Sequence, residues 1–301
     1  MSEWRSLLKA DPTDWLLEPQ NPSVRYWTLV DILDRPTEAQ EARATIAQQP
    51  LVQELFAKQH PGGHWGGDET KPMTADGTLG VLGLLYMLGV EPDARTAAGC
   101  DSFLRFCQNE CGGFSMVKTR CSGIFPCTTG AHLPMLVTFG LGDDPRVRRA
   151  FEFVVTDMTR DDALDCGRYQ HRDCLWGAIA ALDGLAALPE ELRSPRSEAV
   201  VRRLADALLD ADYDFEGEHR RWLTFGVPRV WDLLGALRAL AAHGYGPDPR
   251  FGPLLGRVLA RQDEQGRWLC GSVSHTWPLE KRNRPSKWVT IDALRLLKAI
   301  A

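Results

Sequence analysis

Four cysteines form two pairs in similar settings. Cys121 and Cys127 close the stretch CSGIFPC, and Cys166 and Cys174 close the stretch CGRYQHRDC. Four thiolates, or three with a histidine or carboxylate, are what a tetrahedral zinc ion takes. His132, His171 and Asp173 are the side chains placed to replace one thiolate. The pairs have five and seven intervening residues, wider than the usual two to four. The site therefore depends on the fold bringing the pairs together, and the competing reading is four small buried hydrophobes.

Acids are the second group. Asp76, Asp165 and Asp173 each stand just before an apolar, helix-length run. Such a carboxyl either caps the helix or, in a dry pocket, acts as a general acid. Asp76 and Asp173 are the two chosen for acid catalysis. Tyr26, Trp27, Trp176, Trp231 and Trp288 lie near the same helix starts. They form a candidate ligand pocket able to face a developing cation, or they are core packing. His60 and His64, in QHPGGHW, read as turn residues rather than ligands. Phosphate-loop, dinucleotide, nucleophile-elbow and HExxH motifs are all missing from the sequence.

The elements that would position these groups are periodic. Segments 22–33, 74–89, 127–140, 173–188, 227–244 and 285–300 are each helix-sized, small-residue-rich and apolar nearly all round. A helix apolar on every face is buried on every face. Between them, 144–155 and 197–211 carry an apolar stripe and a charged face, as do LVQELFAKQ and FGPLLGRVLARQ. The order predicts inner and outer helices in alternation, and no strand-period stretch competes. Three outer runs end alike, in FAKQHPGGHW, LRFCQNECGGF and LARQDEQGRW. Each has a Gln to bond frayed backbone groups, a Gly for a left-handed turn and an aromatic to plug the gap between helix pairs.

That phrase resembles the QW motif of squalene and hopene cyclases and, in weaker form, of protein prenyltransferase β subunits. The resemblance runs from about residue 22 to the end. It implies an all-α fold, the α/α toroid, with six inner and six outer helices in a closed ring, preceded by a lead-in arm over 1–21. The first and last inner runs would be ring neighbours. The inner N-termini would meet at one rim, with their unpaired amides and positive potential. In prenyltransferases an Asp, a nearby Cys and a His bind zinc in this region. Here Asp173 and Cys174 are adjacent rather than one residue apart, and no rim His completes the set. The cyclases use a D-x-D-D acid, which this sequence lacks. DDALD (161–165) matches the D-D-x-x-D of class I terpene synthases, but it falls in a connection and reads as solvated surface.

Composition narrows the rest. With 35 basic and 40 acidic residues and net charge −5, nothing marks a nucleic-acid partner. No transmembrane run and no signal-like start are present. The expected location is the cytoplasm, with the eight cysteines reduced. The expected function is binding of a hydrophobic or isoprenoid-like small molecule in the central cavity, with acid catalysis at the rim and Zn2+ as the one cofactor in play. The rival is a non-catalytic binding or scaffold protein with a structural zinc-thiolate site.

Overall fold

The computed structural model describes residues 3–115, 124–165, 174–213, 215, 220–227 and 232–301. The chain is mostly helical, and its described strands are four two-residue pieces. Among the described residues no helix is long and apolar enough to cross a membrane. Two compact units form, one from Met1–Gln49 with Asp212–Ala301, the other from Pro50–Ala211.

In the second unit, outer helices α4 (Pro50–Ala57), α6 (Ala94–Cys107), α9 (Pro145–Asp157) and α11 (Pro195–Leu209) alternate with inner ones. The inner ones are α5 (Thr78–Leu88), the pair α7 (Pro126–Gly130) and α8 (Leu133–Leu136), and α10 (Leu175–Ala186). The outer helices start where their sequences say they should. Asp93 with Thr96, and Ser194 with Ser197, form capping boxes on α6 and α11. Proline opens α9 and α11, where its missing N–H costs nothing. On α9, Val147, Phe151 and Val154 turn inward and are fully or almost fully buried. Consecutive inner helices meet at glycine. A Cβ on Gly130 would lie 2.6 Å from the Ala180 carbonyl oxygen, and one on Gly184 would lie 2.7 Å from that of Gly130. Only hydrogen at these positions lets α7 and α10 come so close.

The first unit is built from both ends of the sequence. It holds α1 (Thr13–Leu16), α2 (Pro22–Trp27) with a π-helical continuation over Thr28–Ile32, and α3 (Pro36–Ile46). From the later part come α12 (Leu233–Ala242), α13 (Phe251–Leu259) and α14 (Lys287–Ala299). The strands are here too. β1 (Gly226–Val227) pairs parallel with β3 (Ser272–Val273), and β2 (Trp268–Leu269) pairs antiparallel with β4 (Pro285–Ser286). Helix α14 packs on both α12 and α2, so the last inner helix does neighbour the first.

Each of the six expected inner runs contains helix, with corrected ends. The run 127–140 is not one helix. It breaks at Ala131–His132 and continues as α8 and a π turn over Val137–Leu141. Pro134 explains the break, because it has no N–H to continue the ladder. The run 227–244 begins as β1, and its helix starts only at Leu233.

Candidate functional site

The three Gln-Gly-aromatic phrases fold into one recurring device. Gln59 donates from Nε2 to the carbonyls of Gly63 (2.9 Å) and Arg95 (2.8 Å). Gln108 does the same to Gly112 (3.0 Å) and Arg146 (2.6 Å). Each amide thus closes its own turn and reaches the first turn of the next outer helix. Gly63, Gly112 and Gly266 have φ of +86°, +93° and +72°. A side chain on any of them would be strained by the backbone and would also collide with a carbonyl, that of Ala98, Arg149 or Ala10. Trp65, Phe114 and Trp268 are buried, and the two indoles donate back to Leu55 (2.6 Å) and Val258 (2.8 Å).

A residue type that the sequence reading missed completes the device. The backbone N–H groups of Trp65, Phe114 and Trp268 donate to the hydroxyls of Thr78 (3.1 Å), Thr129 (2.9 Å) and Thr290 (3.0 Å). Each Thr sits in the first turn of the inner helix that follows. The signal was there, since a Thr follows each aromatic in the next inner run.

The helix openings hold fewer of the expected groups than the sequence suggests. Asp76 is exposed and precedes Gly77, the N-cap of α5, which has no side-chain cap bond. Cys174, not Asp173, is the N-cap of α10. Asp173, His171, Cys121, Cys166 and Trp231 lie outside the described residues. Trp176 is half-buried in the first turn of α10, and Trp288 is buried in that of α14. Tyr26 and Trp27 are the last residues of α2 rather than its opening. Tyr26 lies beneath the Arg43 guanidinium of α3, at 5.2 Å, and Trp27 beneath Arg295 of α14, at 4.9 Å.

Glu280 is the acid that the sequence reading did not single out. It lies before β4 and is half-buried. Its Oε1 accepts from the Ser286 hydroxyl (3.2 Å) and the Lys287 N–H (3.1 Å), at the start of α14. Those donors favour the charged form, but burial outweighs them and raises the carboxyl above its ordinary range. The nearby Cys270 is fully buried, and burial raises its thiol as well. A thiol so placed is no nucleophile. Burial also lowers the imidazolium tendency of His132, whose Nδ1 bonds the Thr128 carbonyl at 2.7 Å.

Charge is organised along the inner helices of the first unit. Asp292 of α14 takes Arg238 of α12 at 3.1 Å and Arg295 at 2.9 Å, and Arg295 continues to Asp31 at 2.6 Å. The side chains of Arg238, Asp292 and Arg295 are each 18% exposed, so these are mostly buried pairs.

A protein from Actinoplanes, known from its crystal structure, is similar over 93% of this chain and 90% of its own. The TM-score is 0.50 and the sequence identity 19%. At that identity the likeness speaks for the fold alone. No known protein family and no curated protein matches the sequence.

For a metal, the described residues offer no group of three His, Cys, Asp or Glu side chains. Cys127 and Cys174 are half-buried thiols on the openings of α7 and α10, helices that do touch. The other two cysteines of the expected zinc set are outside the described residues. The expectation that every cysteine is reduced fails at Cys111, which is disulfide-bonded. That expectation rested on an assumed compartment, which the residues themselves do not encode. The three acids of DDALD are exposed, as expected, while Leu164 between them is buried. Arg160 pairs with Asp162 at 2.9 Å, and Arg203 of α11 donates to the carbonyls of Met158 and Asp161.

Proposed function

We propose that the protein is a closed α/α toroid of the terpenoid cyclase and prenyltransferase kind, which binds a hydrophobic, isoprenoid-like small molecule among its inner helices. The acid at the rim is Glu280 rather than Asp76. The observation that carries this reading is the setting of Glu280, a half-buried carboxyl bonded to Ser286 and the Lys287 N–H at the opening of α14, beside Trp288, where burial raises its pKa. Acid-initiated chemistry on an olefin needs a proton held in a site with little water. Asp76, in solvent, has no such environment. The Gly-aromatic-Thr turn made three times, with its Gln bonded alike in the first two, supports the toroid itself. The test is binding and turnover with farnesol, farnesyl diphosphate and squalene, followed by thermal shift and product analysis. Saturable binding that survives Glu280→Gln while turnover is lost supports the reading. Turnover kept in Glu280→Gln removes the acid, and no binding by any of the three removes the ligand class.

A second reading, a non-catalytic binding or scaffold protein with a zinc-thiolate site, is favoured by the ion-pair chain from Arg238 to Asp31. Inner helices that carry charge for each other leave less apolar lining for a ligand. In that reading Cys127 and Cys174 are two of four zinc ligands. Zinc well below one equivalent in elemental analysis of the purified protein would remove the metal from it.

A further inference from the structure

The third Gln-Gly-aromatic phrase differs from the first two in what docks against it. The phrases after α4 and α6 receive the first turn of an outer helix, through Arg95 and Ala98 in one case and Arg146 and Arg149 in the other. After α13 the same seat is taken by the N-terminal segment. The Ala10 carbonyl lies over Gly266 where those of Ala98 and Arg149 lie over Gly63 and Gly112. The Lys9 N–H donates to Gln262 Oε1. We propose that residues 3–18 form a detachable strap, standing in for an outer helix on this repeat and opening before the rest of the fold.

The anchors explain both why the strap sits there and why it is the weak contact. Trp4 and Leu16 are buried, so the segment is docked rather than loose. The Trp15 ring takes the Arg267 guanidinium at 4.4 Å and the Lys287 ammonium at 5.4 Å. Glu18 pairs with Lys287 at 2.8 Å, and Glu264 with Lys9 at 2.9 Å. Most of these are partly exposed charge contacts, which salt screens. The segment holds only a 3-10 turn (Glu3–Leu7) and the four-residue α1, far from a self-supporting helix.

The seat is also imperfectly filled. Gln262 Nε2 and Arg267 Nε are buried without a hydrogen-bond partner. In the first two phrases the matching amide nitrogen has two carbonyl acceptors. The strap therefore leaves the Gln262 amide nitrogen unmet where a helix satisfies its counterparts, and an unmet buried donor favours release.

Hydrogen exchange on the full chain tests this. Amides of residues 3–18, with those of Gln262–Trp268, should exchange through an opening that α5 and α10 do not share, and high salt should speed it several-fold. Gly266→Ala should raise exchange and proteolytic cutting within 3–18 at least tenfold, whereas Gly112→Ala should leave the strap protected. Trp15→Ala, which leaves the seat intact, should give the same release. Exchange of 3–18 only with global unfolding, or protection unchanged in both Gly266→Ala and Trp15→Ala, would overturn the strap.

Discussion

At the scale of single residues, the threonines carry more of the fold than the acids that drew attention first. Thr290 Oγ1 is the acceptor for the Trp268 N–H, and both residues are fully buried. Valine has nearly the same shape and no acceptor, so Thr290→Val leaves that N–H unmet and should cost about 1–3 kcal/mol in urea unfolding. Glu280 should shape the pH profile. Its folded-state value lies above the unfolded one of about 4.5, so the folded chain keeps a proton that the unfolded chain has released. Stability is then greatest below the unfolded value and falls as pH rises through the folded one. Glu280→Gln should remove that fall, so the variant gains on the parent between acid and neutral pH in paired denaturant melts. Asp101 and Asp144, held low by hydrogen bonds from Arg146, act in the opposite sense, and their contribution disappears as pH falls. Cys111 gives a chemical check. Unfolded but unreduced protein should titrate fewer than eight thiols, and eight after reduction. The Gln, Gly and aromatic roles were legible in the sequence because each follows from backbone chemistry. Glu280 was not, because its burial depends on a loop returning to α14.

At the scale of elements, periodicity located the inner runs and the outer helices α4, α9, α11 and α13 but not α3, and the breaks it missed within the inner runs have local causes. Proline at 134 and the π turns at Thr28–Ile32 and Val137–Leu141 break runs whose hydrophobic pattern is continuous. A pattern of apolar residues records which face is buried but not whether the hydrogen-bond ladder is intact. Glycine within the inner helices shows the same division. Gly83 of α5 and Gly184 of α10 look alike in sequence, yet an added Cβ meets nothing within 4 Å at Gly83 and meets the Gly130 backbone at Gly184. Gly83→Ala should follow helix propensity and gain up to about 1 kcal/mol. Gly184→Ala must push α7 from α10 and should lose about 1–3 kcal/mol despite the same propensity gain. Equal effects of the two in thermal and urea unfolding would mean that the α7–α10 contact is slack.

At the scale of the molecule, the first unit is assembled across the longest separations in the chain. Its inner helices α2 and α14 lie some 260 residues apart in sequence, and Arg295 joins them through Asp31 (2.6 Å) and the Trp27 ring (4.9 Å), with Lys298 to Asp34 (2.6 Å) alongside. Asp292 then ties α14 to α12 through Arg238. The resemblance to a ring of helices implied that the first and last copies meet, but a fold resemblance says nothing of charge, which is why the pairing was expected and the ion-pair chain was not. Exposed pairs contribute little, whereas losing one member of a buried pair is costly because the remaining charge stays desolvated. At 18% exposure Asp292 falls nearer the buried case, and it serves two arginines. Asp292→Ala should therefore lower stability by about 2 kcal/mol, an intermediate figure between those two limits. Asp31→Ala should cost less, since Arg295 keeps Asp292. The double variant should lose more than the sum of the singles, because only then does Arg295 lack both carboxylates. Urea unfolding of the four proteins at low and high salt measures this. Simple additivity would show that Asp31 and Asp292 act on Arg295 independently rather than as one connected chain.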